Sequence, residues 1–397
     1  MKVVILGWGV DSQDVEPFLR SQGHEIDILD EKEKPFGDLT KYDMIVRSPG
    51  VNLHRKELKE VKKPIVTSKI KIFFDVCPGK IIGVTGTKGK GTTSTLIYEI
   101  LKKAGKDVYL GGNIGQGIFE NLDKITADSW VVLELSSFQL IDLHKSPDIA
   151  VVLMTTNDHM DWHASPDEYV GAKSSISRFQ DSSDFVIYNK DYPNSVKIGL
   201  QGQGKKIEIS KNNWTSPLRL RGDHNRENMA AAAEVAKIIK IQDSIINEVA
   251  GEFKGLEHRL EEVATVKGVT YFDDSFSTVP ETTIAAIKAF SEPMILIAGG
   301  SEKGSDFTRL GKTISEAKNI KAVILIGSMA ERIDRAILNR HLRILRNLSN
   351  MSEIVKSANS LAGSGDVVVM SPACASFDMF KSYKDRGDQF KACVKSL

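Results

Sequence analysis

Short, uninterrupted apolar runs alternate with amphipathic stretches along the whole chain. Val3–Leu6, Glu25–Leu29, Met44–Arg47, Lys80–Val84, Trp130–Leu135 and Ile149–Met154 read as strands, and so do Val269–Phe272, Met294–Ala298, Val323–Ile326 and Val367–Met370. Several are apolar at every position, which suits strands covered by helices on both faces of a parallel sheet. Between them, apolar positions recur three and four residues apart. Leu96, Ile97, Ile100, Leu101 and Ala104 are one such set, stopped by Gly105. The first unit runs from Val3–Leu6 through Gly7-Trp8-Gly9 into a helix to about Gln22, then into the strand that ends at Asp30. Asn228–Ile239 predicts an alanine-rich helix. Alternation of this kind predicts α/β architecture with mainly parallel sheets. At 397 residues the chain is long for one core, and three domains are the economical division. The breaks at Cys77-Pro78-Gly79 and Gly255–Arg259 place them at 1–78, 79–256 and 257–397.

Composition narrows the function classes. A hydrophobic fraction of 41% and a charged fraction of 26% are those of an ordinary globular protein. A net charge of +1 gives no bulk attraction to nucleic acid or anionic membrane. The N-terminal apolar run is too short for a signal peptide, and no stretch could span a bilayer. Cys77, Cys374 and Cys393 lie too far apart to suggest a disulfide framework or zinc site. A cytoplasmic, soluble, monomeric protein acting on small molecules is expected.

The first chemical motif is Gly83-Val84-Thr85-Gly86-Thr87-Lys88-Gly89-Lys90, which follows a strand and opens a helix. Glycines let backbone N–H groups close around phosphate oxygens, and the helix N-terminus adds partial positive charge. A strict Walker A loop has Gly where Val84 stands and Ser or Thr where Gly91 stands. The form Gly-x-x-Gly-Thr-x-Gly-Lys instead resembles the loop shared by Mur ligases and folylpolyglutamate synthetases. Gly91 departs even from that form, because it has no hydroxyl to offer Mg²⁺; Thr92 or Thr93 is the expected substitute.

Glu134-Leu135-Ser136-Ser137-Phe138-Gln139, at a strand end, resembles the D-glutamate-adding branch of the Mur ligases. So does Ser371-Pro372-Ala373-Cys374-Ala375-Ser376-Phe377-Asp378, together with Phe380, Tyr383 and Arg386-Gly387. The matching motifs run from Val3 to Phe390. The resemblance implies a Rossmann-like N-terminal domain, a central P-loop-type ATPase domain and a Rossmann-like C-terminal domain. It implies an ATP-dependent ligase that adds D-glutamate to UDP-N-acetylmuramoyl-L-alanine through an acyl phosphate, with Mg²⁺.

By that resemblance Gly86, Thr87, Lys88, Gly89, Lys90, Gly91 and Thr92 hold ATP phosphates, Asn225 and Asn228 meet adenine, Arg259 reaches the phosphates and Asp274 the ribose. Lys90, Asn113, Glu134, His159 and Lys173 are the implied catalytic group. The metal ligands would be Thr92, Glu134, His159 and Lys173, the last as a carbamate. On composition alone the loop around Asp158-His159 could equally be turn chemistry, and its expected place on a strand adjacent to Glu134 favours a ligand role. His163 lies outside the matching positions and reads as structural. Asp30, Lys32, Ser48, Pro49, Gly50, Ser136 and Gln139 are implied at the UDP-sugar substrate. Thr278, Lys303, Ser376, Phe377 and Tyr383 are implied at D-glutamate, and Cys374 as a buried thiol. Phe276 stands where the family usually has lysine, so one cationic contact is missing. A ligase of the same mechanism with another acceptor, or a non-catalytic nucleotide-binding relative, are the alternatives.

Overall fold

The computed structural model describes residues 1–30, 35–62, 64–115, 117–156, 158–159, 162–302, 304–339 and 341–397. Its strands form three sheets. The first holds β1 (Lys2–Leu6), β2 (Glu25–Leu29), β3 (Met44–Arg47) and β4 (Ile65–Ser68), in the order β2-β1-β3-β4 and all parallel. The expected helix after β1 is interrupted at Asp14, giving Val10–Gln13 and Val15–Ser21.

The second sheet holds β5 (Lys80–Thr85), β6 (Val108–Gly112), β7 (Trp130–Glu134), β8 (Ile149–Val152), β9 (Phe185–Asn189) and β10 (Lys205–Ile209). Its order is β10-β9-β8-β5-β7-β6, again all parallel. The expectation that the strands ending at Glu134 and before Asp158-His159 are neighbours is corrected here: β5 lies between β7 and β8. The chain leaves β5 on one side for β6 and β7, then crosses to the other for β8. Ligands bind outside the carboxyl ends of strands at such a reversal.

The third sheet holds β11 (Glu261–Val266), β12 (Val269–Asp273), β13 (Met294–Gly299), β14 (Ile320–Ile326), β15 (Arg343–Leu345) and β16 (Val367–Met370), ordered β11-β12-β16-β13-β14-β15. Only β11 is antiparallel, joined to β12 by Lys267 and Gly268, both at positive φ. That backbone matches the twist of a two-residue hairpin. Along β12, β13 and β16 side chains alternate between two cores. Phe272, Leu296 and Val369 face one, and Tyr271, Ile297 and Val368 the other. Both faces are apolar because helices cover both.

The chain divides into two compact units, residues 1–217 with 224–251, and residues 218–223 with 252–397. Residue 78, the expected first boundary, falls inside the first unit. There a single apolar cluster joins Val3, Ile5 and Phe73 to Val131, Leu133 and Val152, so the first two sheets share a core. Among the described residues, no helix is long and apolar enough to cross a membrane.

Candidate active site

The phosphate loop leaves β5 at Thr85 and enters the helix Lys90–Lys103. Gly89 caps this helix at φ 89°. A Cβ there would lie 2.3 Å from Asn228 Oδ1 and one on Gly86 2.9 Å from Leu153 Cβ, so both glycines are needed for close approach as well as for backbone angle. Thr87 pins the loop. Its N–H donates to Met154 O at 2.7 Å, and its hydroxyl lies 2.9 Å from both Thr156 O and the Tyr169 hydroxyl. Lys90 folds back over the turn, donating to Gly86 O at 3.0 Å and Thr87 O at 3.3 Å. Asn225 and Asn228, on the helix Asp223–Ile238, are buried and bonded to each other at 3.0 Å. Both asparagines lie in the first two turns of that helix.

Glu134 ends β7 beside the loop and is 5% exposed. Asn113 Nδ2 donates to its Oε1 at 3.2 Å, and Asn113 N to its carbonyl at 2.9 Å. Gly112 makes this possible: at φ 92°, its Cβ would stand 2.2 Å from Glu134 O. Ser136 and Gln139 form a reciprocal capping box on the helix Ser137–Leu140, so both side chains first serve that helix.

Lys173, implied as a carbamate, lies against the phosphate loop. The helix Pro166–Arg178 buries it to 1% exposure, with its amine donating to Thr85 Oγ1 at 3.2 Å and Gly86 O at 3.1 Å. Burial first, and then the charge on Lys90, hold its ammonium well below the usual lysine range, against opposing pulls from Asp158 and Glu134. Burial thus favours the neutral amine, the form that is a nucleophile for CO₂. His159 has a positive φ of 55°, a half-exposed ring and an edge contact with Phe138 at 4.8 Å. His163, by contrast, is buried with Nε2 2.9 Å from Ser137 Oγ, in keeping with a structural role, and burial lowers its pKa.

An oxygen-seeking cation such as Mg²⁺ fits this donor set. Glu134 offers a carboxylate, and Lys173 a potential carbamate. The Thr93 hydroxyl, one turn into the loop helix, is buried with no hydrogen-bond partner. Thr92 is half-buried beside it, and Gly91 is buried.

At the first sheet, Asp30 Oδ2 accepts from Trp8 N at 2.9 Å, and Ser48 N donates to Leu6 O at 2.9 Å. Asp30, Gly7 and Ser48 thus cluster at the carboxyl ends of β1, β2 and β3, with Pro49 and the exposed Gly50 continuing the turn. Lys32 and Lys303 lie outside the described residues. Sequence reasoning missed Arg47. It is fully buried and donates to Ser48 O, Pro49 O and Val51 O, to Phe138 O at 3.0 Å, and to Asp142 at 3.1 Å. An arginine closing an otherwise apolar strand was its only signal.

In the second unit, the carboxyl ends of β12, β16 and β13 carry Asp273-Asp274, Ser371 and Gly299-Gly300. Asp274, implied at the ribose, is buried and accepts from Ser277 Oγ at 2.5 Å, Ser371 Oγ at 2.6 Å and Leu260 N at 3.2 Å, which organises three loops. Burial pushes its carboxyl up to about 7. The folded state therefore keeps a proton that the unfolded chain, titrating near 3.8, releases. This group's contribution to stability is greatest at low pH and falls as pH rises from about 4 to 7, by up to about 4 kcal/mol. Urea midpoints of wild type and Asp274→Asn should diverge progressively across that window in favour of the variant. A constant difference between the two would contradict this assignment.

Arg386 is fully buried and stitches Ser275 to the carbonyls of Cys374 and Ala375. Burial lowers its pKa to about 10 and raises the Cys374 thiol to about 12, which makes Cys374 an inert core group. Tyr383 opens the helix Tyr383–Lys395, its carbonyl accepting from Ser275 Oγ at 2.7 Å. Thr278 is half-buried in the loop after β12, Ser376 is 2% exposed, and Phe377 is 76% exposed.

Residues 84–236 match the Mur ligase middle domain and residues 258–374 the Mur ligase glutamate ligase domain. The chain is 34% identical to a UDP-N-acetylmuramoylalanine–D-glutamate ligase of Clostridium kluyveri, over all of this chain and 97% of the relative. It belongs to the Mur ligase family. A protein of the same name from Symbiobacterium thermophilum is 35% identical over 90% of this chain and 85% of its own. Among solved structures, the UDP-N-acetylmuramate-alanine ligase MurC of Thermotoga maritima aligns with a TM-score of 0.65 at 16% identity, covering 100% and 99% of the two chains. MurF ligase of the same organism, in complex with ADP, aligns at 0.63 and 18% identity over 89% and 90%. At such identities these two Mur ligases share the fold with this one, and the fold alone.

Proposed function

We propose that this Mur ligase uses ATP to join D-glutamate to the L-alanyl carboxylate of UDP-N-acetylmuramoyl-L-alanine, in the cytoplasm. The observation that carries the reading is the grouping around β5. Lys90 lies on the phosphate loop, Glu134 beside it, and a buried Lys173 amine bonds the loop's own Gly86 carbonyl. The names of the relatives support the choice of acceptor.

Backbone N–H groups of the loop and Lys90 bind the ATP phosphates, and Arg259 adds a permanently charged fork. Asn225 and Asn228 take adenine, and the turn at Ser48 takes the diphosphate of the UDP-sugar. Asp30 and Lys32 meet its uracil region, and Ser136 and Gln139 its muramoyl part. Glu134, His159, the hydroxyl of Thr92 or Thr93 and a carbamylated Lys173 would hold Mg²⁺, which would supply charge neutralisation for the transferring phosphoryl group. With Lys90 on the phosphates, the substrate carboxylate attacks the γ-phosphorus and ADP leaves. Asn113, fixed by Glu134, orients the acyl phosphate. Thr278, Lys303, Ser376, Phe377 and Tyr383 hold D-glutamate so that its amine nitrogen attacks the acyl carbon. Phosphate then leaves and the amine gives up a proton. Positioning two anionic substrates that repel one another supplies much of the rate.

Phosphate release measured with ATP and UDP-N-acetylmuramoyl-L-alanine against a panel of amino acids tests this. D-glutamate should support turnover at least about a hundredfold above L-glutamate or D-alanine, as expected where a site built for two carboxylates meets an analogue with one missing or misplaced. Turnover preferring another acceptor would reassign the substrate. ATP binding without turnover on any acceptor would refute the ligase reading.

A further inference from the structure

Two segments of the first compact unit carry the same arrangement, a buried charge with a phenylalanine four residues on. Asp14 stands where the chain breaks before the helix Val15–Ser21, which presents Phe18. Lys69 opens the helix Lys69–Val76, which presents Phe73. Asp14 Oδ1 and Lys69 Nζ meet at 2.6 Å, with side chains only 5% and 7% exposed. Both phenylalanines pack on Phe119, in the short helix Ile118–Asn121 that follows β6 of the second sheet. The Phe18 ring lies 4.8 Å from it, and the Phe73 ring meets it edge-on at 5.6 Å. Asp14 closes the set, because its Oδ2 accepts from Phe119 N at 3.1 Å. Gly117 leaves the carboxylate room, since a Cβ there would stand 2.7 Å from that oxygen.

This joint ties the first sheet to the second. Apolar packing already holds them together, with Val3, Ile5 and Phe73 in one cluster with Val131, Leu133 and Val152. A buried ion pair adds little net stability, because desolvating both charges offsets their attraction. What it adds is direction. Rings slide over one another at small cost. Asp14 can meet Lys69 and the Phe119 N–H together only in one placement of the three segments.

We propose that Asp14 and Lys69 are positioning residues that orient the first sheet against the second, so that one extended substrate engages both. The inference rests on the reading of the UDP-sugar site, with uracil and diphosphate at Asp30 and the Ser48 turn, and the muramoyl part at Ser136 and Gln139. Lys69 borders a small void together with Pro49 and Gln139, one residue from each end of that site. A tilt at the joint would leave each end intact and spoil their spacing.

The test compares full-length wild type, Lys69→Met and Asp14→Leu/Lys69→Met by isothermal titration with UDP, UDP-N-acetylmuramoyl-L-alanine and ATP. In the double variant the affinity for UDP-N-acetylmuramoyl-L-alanine should fall about ten- to a hundredfold, the scale of a misplacement near 1 Å. Affinities for UDP, which needs the first sheet alone, and for ATP should stay at their wild-type values. The double variant should melt closer to wild type than Lys69→Met, which leaves the Asp14 charge buried alone. Hydrogen exchange at the Phe119 amide, read without ligand, should quicken in Lys69→Met, where Asp14 remains but its partner is gone. Wild-type affinity of the double variant for UDP-N-acetylmuramoyl-L-alanine overturns the inference. So does an equal loss for UDP, which would mark local damage, or unchanged exchange at Phe119. Wild type that binds UDP-N-acetylmuramoyl-L-alanine no better than UDP would defeat the reading of the muramoyl site, and the exchange at Phe119 would then decide the joint by itself.

Discussion

Lys90→Ala should lower phosphate release on the order of a thousandfold, with melting temperature little changed. Two effects combine. The direct one is loss of the cation that the Gly86 and Thr87 carbonyls hold over the phosphate loop, where charge develops during transfer. The second passes through Lys173. Its ammonium is destabilised by burial and then by the charge on Lys90. Removing Lys90 relieves that repulsion, raises the Lys173 pKa and leaves less neutral amine for CO₂ to modify. The variant should therefore need a higher pH, as well as more ATP, to approach its own maximum. Lys90→Met would lose activity similarly, because the methylene stem without its charge serves neither effect. Retention of more than a tenth of wild-type turnover by Lys90→Ala would contradict the assignment.

Arg47→Met is the change expected to cost most in stability. The Arg47 fork is fully buried, shared among three carbonyls of its own turn, the Phe138 carbonyl and Asp142. Methionine fills much of the volume but strands Asp142 and those carbonyls. Breaking a buried pair from one side costs about 3–5 kcal/mol. In a unit of this size that is a fall in melting temperature of roughly 10 °C. The turn that Arg47 holds includes Ser48, Pro49 and Val51, so the KM for the UDP-sugar should rise more than that for ATP. Double substitution with Asp142→Leu should recover part of the stability, because an apolar pair leaves no orphaned charge. A melting temperature within about 1 °C of wild type would refute the latch.

The strands and the phosphate loop were legible because their signals are contiguous. Val3–Leu6, Met44–Arg47 and Val367–Met370 read directly as apolar runs, and the loop announces itself through glycines between a strand and a helix. Glu134 was legible as a strand-end carboxylate next to a distinctive Ser-Ser-Phe-Gln. Positions of partners far apart in the chain were not. Nothing local says that Asp274 turns inward to Ser277 and Ser371, or that Phe276 receives Arg259.

By itself the sequence determined the α/β class, the strand–loop–helix that cradles phosphate, and the identity of the side chains available for chemistry. Periodicity and turn residues act within a few positions, so a linear reading captures them. Only the tertiary structure decided that β5 separates β7 from β8, which puts the phosphate loop between the two segments that carry Glu134 and His159. It alone decided that Lys173 lies buried against Thr85 and Gly86, where burial and the charge on Lys90 disfavour its ammonium form. Burial, and the electrostatics that follow from it, depend on which distant segments pack together, and no local pattern encodes that.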